Sequence, residues 1–443
     1  MKRPGIIVKI IVVFIALLIS PARAVQVKEF SLDNGLKLLV IENHKAPIAT
    51  FQVWYRVGSR DEPKGKTGIS HLLEHMMFKG TKRYGPKSFS RIIQKNGGID
   101  NAFTTRDFTM YFETLSSDRI ELAMELEADR MQNLLLRPED VKYERSVVME
   151  ERRMRYEDDP QNLLYEELLA TAFKVHPYRN PVIGWMSDLA SITQKDLLNH
   201  YRRYYRPDNA FIIVAGDVNA EEVYRKVKGY FGGIKPSGYG HQEIRHYNEP
   251  PQQGKKVVYL EKEAQLPYLL IAYHVPSFPE KDSVELDVLS TIVSGKSGVL
   301  YKKLVREKKI ALNVFASYSG FYLDSFLFFF GGTPRPGKTV EELKEAILQE
   351  IQGLKETPPT EKQLQKARNQ VEASFIMEQD SLFSLAEMVG TFELLGGWRL
   401  IDKYLEGVRK VRPQDIQRVA KKYFVDKNMT IGILIPEKKD KEE

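Results

Sequence analysis

A five-residue segment, Ile192-Thr193-Gln194-Lys195-Asp196, can be aligned with Val411-Arg412-Pro413-Gln414-Asp415, which lies 219 residues later in the chain. Each copy begins a helical pattern that is followed by a turn and a short apolar run typical of a strand. The same offset pairs three sets of identical residues, namely Asp196 with Asp415, Tyr204 with Tyr423, and Asn209 with Asn428. A similar unit at the end of each half predicts two homologous domains. The alternative is a chance likeness between two amphipathic helices that each precede a strand.

The stretch between the two halves, from Gly232 to Gly254, is rich in residues that break both helices and strands. It contains Pro236, Gly238, Gly240, Pro250 and Pro251. This composition predicts a linker, which we place at residues 236–254. The first domain is then expected over residues 25–235 and the second over residues 255–443. A length of 443 residues also favours two domains over a single core.

The first half mixes strands with helices. Strand patterns run from Lys28 to Leu32, from Leu36 to Ile41 after an Asp33-Asn34-Gly35 turn, and from Ala49 to Val57. Helical patterns follow from Gly68 to Phe78, from Phe89 to Asn96, and from Asp118 to Leu135. Adjacent strands followed by helices indicate an α+β fold rather than a doubly wound α/β fold.

Residues 1–24 have the pattern of a secretory signal peptide. The start is basic, the segment from Ile10 to Ile19 is apolar, and Ala22-Arg23-Ala24 has the small residues that signal peptidases prefer. The alternative is an uncleaved membrane anchor, although the apolar run is short for a span of about 20 residues. No cysteine follows, which excludes a lipoprotein anchor at this site. We expect a periplasmic or secreted protein, periplasmic if the source is Gram-negative, with no stable membrane span after cleavage.

The net charge and the absence of cysteine bear on which classes of function are open to the protein. The formal net charge of +7 falls to +3 without the leader, because Lys2, Arg3, Lys9 and Arg23 carry four positive charges. With positive and negative charges nearly balanced, the chain lacks the strong positive charge that is typical of nucleic-acid-binding proteins. The absence of cysteine excludes disulfides and thiolate chemistry, and it is compatible with an oxidising compartment.

The stretch His71-Leu72-Leu73-Glu74-His75 places two imidazoles four residues apart in a protein with eight histidines. Residues at i and i+4 share one face of an α-helix, so both rings can reach a single metal ion. Glu74 is close enough to touch a water molecule on that metal. The spacing is the inverted counterpart of the H-E-x-x-H motif of zinc proteases. The alternative is an exposed amphipathic helix whose histidines bind nothing.

Catalytic zinc usually takes three protein ligands, so another helix should supply the third. The segment from Glu139 to Tyr156 is helical in pattern, and it carries Glu144 and Glu151 on an otherwise apolar stripe. Carboxylates on such a stripe are destabilising unless they are paired or bound to a metal. The alternative is a solvated helix face. Glu150 is rotated about 100° off the stripe and is the weaker ligand candidate.

With these motifs the chain resembles the pitrilysin/insulinase superfamily of zinc peptidases. In size it is similar to the mitochondrial processing peptidase subunits and their bacterial relatives. Glu151 lies 76 positions after His75, and the residues from Glu144 to Glu151 match the family's ligand helix. The resemblance implies one Zn²⁺ per chain, held by His71, His75 and Glu151. It also implies Glu74 as the general base and Glu144 as a carboxylate that orients a ligand histidine.

A second matching region follows Gly97-Gly98. Asn101-Ala102-Phe103-Thr104 and Thr109-Met110-Tyr111 resemble the family's active-site edge strand, to which a peptide adds as an extra strand through backbone hydrogen bonds. The resemblance implies that Asn101, Ala102 and Phe103 bind substrate. The alternative is an ordinary edge strand after a Gly-Gly turn. A further family-like segment, His176-Pro177-Tyr178-Arg179, is interpreted as structural.

The second half contains no H-x-x-E-H motif, and we interpret His274, its only histidine beyond the linker, as structural. The second half of the chain resembles the domain of the family that binds no metal. In the family, that domain supplies a substrate-gripping arginine and, seven residues later, a tyrosine. Arg306 fits the arginine, but the position seven later is Asn313, and Tyr301 and Tyr318 are out of register. We therefore expect a homodimer, or a heterodimer with a homologous chain that carries the Arg/Tyr pair.

The sequence thus predicts a zinc metalloendopeptidase that cleaves extended peptides or unfolded protein segments. In such enzymes zinc activates a water molecule, while Glu74 would take the proton of that water and deliver it to the leaving amine. The two halves should face each other, and a partner chain should close a chamber around the peptide. The alternative is a non-catalytic or chaperone-like peptide-binding subunit of a homologous hetero-oligomer; the complete set of ligands argues against a degenerate subunit.

Overall fold

A computed structural model describes residues 25–236 and 245–437. The predicted signal peptide and residues 237–244 of the predicted linker lie outside the described residues. The remaining linker residues, 245–254, contain neither helix nor strand. No helix within the two described ranges is both long enough and apolar enough to cross a membrane.

The strands of the described residues form two sheets. The strands are β1 (Lys28–Ser31), β2 (Lys37–Glu42), β3 (Ile48–Tyr55), β4 (Ile99–Thr104), β5 (Thr109–Ser116), β6 (Ala210–Gly216), β7 (Lys256–Glu263), β8 (Tyr268–Val275), β9 (Ala311–Tyr318), β10 (Phe326–Pro334) and β11 (Met429–Glu437). The first-half helices are α1 (Ile69–Met76), α2 (Ser88–Lys95), α3 (Glu121–Asn133), α4 (Pro138–Arg152), α5 (Pro160–Ala172), α6 (Met186–Ser191), α7 (Gln194–Tyr204) and α8 (Ala220–Phe231). The second-half helices are α9 (Ser283–Val293), α10 (Val340–Glu356), α11 (Glu361–Glu378), α12 (Leu382–Leu394), α13 (Leu400–Lys410) and α14 (Pro413–Tyr423). Two segments, Arg153–Glu157 and Tyr301–Glu307, are π-helical.

The two sheets share one topology. The first has the strand order β1-β2-β6-β3-β5-β4, and the second has the order β7-β11-β8-β10-β9. The parallel pair β2/β6 corresponds to the parallel pair β7/β11, and the remaining neighbours of both sheets are antiparallel. The first sheet adds β1, which pairs antiparallel with β2. The predicted α+β fold with two homologous halves is therefore confirmed.

The repeated sequence unit has a structural role in both halves. Helices α7 and α14 begin and end at positions that are offset by the same 219 residues. The side-chain amide of Asn209 donates to the carbonyl of Tyr204 at 3.0 Å, and that of Asn428 donates to the carbonyl of Tyr423 at 2.9 Å. Each asparagine thus ties the end of its helix to the strand that follows, which explains why both copies keep the residue.

Each half also packs one of its helices on the sheet of the other half. Helix α5 of the first half packs on β7, β8 and β11 of the second sheet, whereas α12 of the second half packs on β3 and β6 of the first. Close approach requires small residues at both contacts: Gly390 of α12 lies against Trp54, and Gly432 of β11 lies against Leu164 and Leu168 of α5. This packing buries the outer face of each sheet under the other half, and it leaves the opposite face of the first sheet for α1, α3 and α8.

Candidate metal centre

Helix α1 carries the two histidines and is fixed at its start. Gly68 precedes the helix with φ of +86°, and a Cβ at that position would lie 2.4 Å from the carbonyl oxygen of Ile183, so only glycine fits. The carboxylate of Glu62 accepts hydrogen bonds from the backbone N–H groups of Gly68 at 2.8 Å and Ser70 at 2.9 Å. These bonds satisfy donors that the first turn of a helix leaves free. The buried side chains of α1 then turn both histidines towards α4.

The structure brings His71, His75 and Glu151 together. One ligand atom from each of the three lies within 4.8 Å of the others. The Oε2 atom of Glu151 is 3.5 Å from Nε2 of His75 and 3.9 Å from Nε2 of His71. The other Glu151 oxygen, Oε1, is 3.0 Å from the guanidinium of Arg155, one turn further along the helix. Both imidazoles therefore point the same nitrogen at one carboxylate oxygen.

Glu144 lies behind His75, in the position that the resemblance implies for a carboxylate that orients a ligand histidine. Its Oε2 atom is 3.1 Å from Nδ1 of His75, and Lys79 forms an ion pair with its other oxygen. A carboxylate on Nδ1 fixes the ring and leaves Nε2 free to bind a metal. Glu150, the weaker candidate, is exposed and pairs with Arg153 instead.

Glu74 is buried beside the two histidines and faces the edge of the first sheet. Its Oε2 atom accepts a hydrogen bond of 2.5 Å from the hydroxyl of Thr104, the last residue of β4. Among the described residues, strand β4 pairs only with β5, so its other edge has no partner strand there. A carboxylate thus lies between a cluster of metal-ligating side chains and an unpaired strand edge.

The electrostatics of the cluster favour a cation. Burial, together with the nearby His75, lowers the pKa of His71 to about 4, so its ring is neutral at neutral pH. Burial also opposes a charge on His75, but hydrogen bonds to Glu144 and Glu151 raise its pKa to about 9. The hydrogen bond to His75 lowers the pKa of Glu151, while burial raises that of Glu74. A bound metal ion would take the place of the proton that these carboxylates hold on His75.

The residues present fit a zinc ion. Two imidazoles and one carboxylate form a ligand set of catalytic zinc, which leaves a fourth position open. The Nδ1 atom of His71 is buried and makes no hydrogen bond within the described residues, so its ring, unlike that of His75, lacks a carboxylate behind it. Packing, including the edge contact with the ring of His75, therefore orients this ligand rather than a hydrogen bond to Nδ1.

The predicted substrate-binding residues are divided between two places. Asn101, Ala102 and Phe103 lie on β4, which packs against α1. Arg306 lies in the second half and stacks 5.4 Å over the ring of Tyr301. Asn313, which stands where the family has a tyrosine, is tied to Thr333 of the neighbouring strand by two hydrogen bonds of 3.2 and 3.3 Å.

Three contacts at the site are not indicated by any pattern in the sequence. Glu62 reaches α1 from a preceding loop, and Lys79 reaches Glu144 from the end of α1. Thr104 belongs to the quoted edge-strand segment, but only folding brings its hydroxyl to Glu74. His176, in the segment interpreted as structural, is buried and pairs with Asp324, and Nε2 of His274 lies 3.2 Å from the carbonyl oxygen of Ala172.

Comparison with known proteins assigns the chain to a family. Residues 37–185 match the family model described as insulinase (peptidase family M16), and residues 191–371 match the model described as peptidase M16 inactive domain. The chain is 33% identical over 410 residues to zinc protease PqqE of Helicobacter pylori, covering 92% of both proteins. It is 29% identical over 418 residues to a probable mitochondrial-processing peptidase subunit beta of Arabidopsis thaliana, covering 92% of this chain and 78% of that one.

A solved structure agrees with this assignment. The crystal structure of a protease from Helicobacter pylori superposes with a TM-score of 0.89 at 32% identity, covering 93% of this chain and all of that one. The fold is thus that of a two-domain M16 peptidase. The chain belongs to the insulinase family of peptidases, M16, which confirms the predicted resemblance.

Proposed function

We propose that the protein is a zinc metalloendopeptidase that cleaves extended peptides or unfolded protein segments. The observation that carries this proposal is the convergence of His71, His75 and Glu151 within 4.8 Å, directly beside Glu74. The names of the relatives, which include several zinc proteases, support zinc as the metal. His71, His75 and Glu151 would hold the ion, and Glu144 would orient His75. When bound, zinc lowers the pKa of a coordinated water and polarises the scissile carbonyl.

The remaining steps belong to the chain's own residues. Glu74 takes the proton of the attacking water on its carboxylate and then delivers it to the nitrogen of the leaving amine. Strand β4, through Asn101, Ala102 and Phe103, binds the peptide by backbone hydrogen bonds, which allow many side-chain sequences. The open edge of β4 beside the buried Glu74 supports this arrangement.

The proposal extends to assembly and location. Asn313 stands where the family has the tyrosine of the substrate-gripping pair, so we propose that a second chain provides this grip, as a homodimer or as a heterodimer with a homologous chain. The leader pattern of residues 1–24 supports a periplasmic or secreted protein, or a membrane-anchored one if the leader is kept.

The test is hydrolysis of an internally quenched peptide by residues 25–443. A chelator should abolish activity and added zinc should restore it. Glu74→Gln should lower kcat by about 100-fold or more, because general acid–base catalysis contributes that much, and should leave zinc content unchanged. Glu150→Gln is the matched control, since Glu150 is exposed on the ligand helix and should keep wild-type activity.

Hydrolysis that survives the chelator or Glu74→Gln would contradict the mechanism. A zinc-loaded protein that binds peptide without cleaving it would favour the non-catalytic alternative. Activity that returns only when a homologous chain is added would identify the heterodimer.

A further inference from the structure

Thr104 holds Glu74 from the end of the edge strand. Its hydroxyl donates to Oε2 of Glu74 at 2.5 Å. Threonine is β-branched, so its side chain has little rotational freedom in a strand. The carboxylate is therefore fixed by a stiff residue rather than by a flexible one.

The orientation of Glu74 needs such a contact. A glutamate on a helix has three side-chain torsions, and several rotamers are open to it unless packing or hydrogen bonds select one. The bond from Thr104 occupies Oε2 and leaves Oε1 to face outward from that contact. Hydrogen bonds to a charged group are roughly twice as strong as neutral ones, so this bond is able to select a single rotamer.

The sheet in turn fixes Thr104. Thr104 is paired directly with Thr109 of β5, whose hydroxyl lies 3.4 Å from that of Thr104. Thr109 is fully buried and donates to the carbonyl of Val57 at 3.0 Å. The hydroxyl of Thr104 is thus held by the buried Thr109 of the inner strand β5, although Thr104 itself belongs to the edge strand β4.

We infer that Thr104 is a positioning residue that sets the orientation of the general base Glu74 and links it to the strand on which the peptide docks. This inference rests on the proposed function. A peptide that pairs with β4 would immobilise the strand that carries Thr104, and through it the carboxylate. Because Thr104 acts on the base and not on peptide affinity, its loss should lower kcat while leaving KM nearly unchanged.

The experiment compares Thr104→Val, which keeps the shape and removes the hydroxyl, with Thr104→Ser, which keeps the hydroxyl. For Thr104→Val we expect kcat to fall about 10- to 100-fold, the range for a misplaced catalytic group, with KM within about threefold. Thr104→Ser should keep at least about a third of kcat. Thr114→Val is the matched control, because Thr114 is half-buried in the same sheet and donates to Thr50 at 3.2 Å, and it should stay within about twofold.

A structural measurement separates this inference from the proposed function. In crystal structures of the zinc-loaded proteins, the Glu74 carboxylate should leave its wild-type rotamer in Thr104→Val and return to it in Thr104→Ser. An unmoved Glu74, an unchanged kcat, or an equal loss in Thr104→Ser would overturn the inference. If the wild-type protein cleaves nothing, either alone or with a homologous chain added, the proposed function fails, but the position of Glu74 still decides the role of Thr104. Should Thr104→Val not fold, Thr104→Ala provides the same comparison.

Discussion

Arg60 and Asp324 form an ion pair of 2.6 Å that joins the two halves of the chain. Both side chains are buried, with 1% and 6% of their surface exposed. The other branch of the same guanidinium lies 3.2 Å from Asp107, in the turn between β4 and β5. One arginine therefore connects the segment before α1, the turn of the proposed substrate strand, and the second half.

Removal of Asp324 should destabilise the whole molecule. Breaking a buried ion pair by deleting one partner costs about 3–5 kcal/mol, because the remaining charge is buried without compensation. Asp324 also accepts hydrogen bonds from the ring of His176 at 2.9 Å and from the backbone of Tyr247 at 3.0 Å. Urea unfolding of Asp324→Ala should show a loss of this size.

The control for that variant is Glu406→Gln, which removes an exposed ion pair with Lys410. Exposed pairs of this spacing contribute about 0.5 kcal/mol or less, so its stability should hardly change. Equal effects of the two substitutions would show that the inter-half pair does not hold the domains together.

Acid should remove the contribution of Asp324. Burial raises the pKa of this carboxyl, but His176, Arg60 and further donors outweigh burial and hold the pKa at about 2, below its ordinary value of 3.8. A group with a lowered folded-state pKa stabilises the protein fully above its unfolded pKa, and that stabilisation is lost as pH falls through the folded pKa. The loss should therefore occur between about pH 4 and pH 2. Asp324→Ala should lose less stability than wild type over this range in urea titrations; parallel curves would refute the assignment.

Glu144→Ala should weaken zinc binding without removing a ligand. The carboxylate behind His75 orients the ring and raises its basicity as a ligand, and loss of such a group costs about 10- to 100-fold in metal affinity. Competition with a chromophoric chelator measures the dissociation constant. Glu150→Gln serves again as the control, since this exposed residue pairs with Arg153 and should leave the affinity unchanged. An affinity that Glu144→Ala leaves intact would exclude this role.

Gly390→Ala should loosen the contact between α12 and the first sheet. A Cβ at Gly390 would lie 2.4 Å from Cζ2 of the fully buried Trp54, and such overpacking costs about 1–3 kcal/mol. Gly353 in α10 has nothing within 4 Å of an added Cβ, so Gly353→Ala should instead stabilise by about 0.5–1 kcal/mol. Thermal unfolding of both variants tests whether their stabilities change in opposite directions. A stabilised Gly390→Ala variant would contradict the packing of α12 against Trp54.

The elements and the local motifs could be predicted from the sequence because each depends on near neighbours. The helix around His71 and the ligand helix from Glu144 to Glu151 follow from a 3.6-residue period, and the strands follow from runs of apolar and β-branched residues. The repeat predicted the two halves because Asn209 and Asn428 make the same short-range bonds. The contacts of Thr104, Glu62 and Lys79 could not be predicted, since no local sequence pattern specifies which side chains of different elements will meet in the folded protein.

Domain boundaries illustrate the same limit. A division at residues 236–254, as the linker composition suggests, assigns α5 to the first half, yet α5 covers the second sheet, and α12 covers the first. No composition shift marks this exchange, because a helix buried under a foreign sheet has the same apolar face as one buried under its own.

By itself the sequence determined the family, the two homologous halves, and which side chains have metal-ligating chemistry, because composition, spacing and repetition are properties of the chain. The tertiary structure alone decided that Glu151 faces both histidines, that Thr104 holds Glu74, and that Asn313 bonds to Thr333. The physical reason is that hydrogen bonds and metal ligation act over a few ångströms between residues that can be far apart along the chain. Only the packing of α1 against α4 and β4 sets those distances.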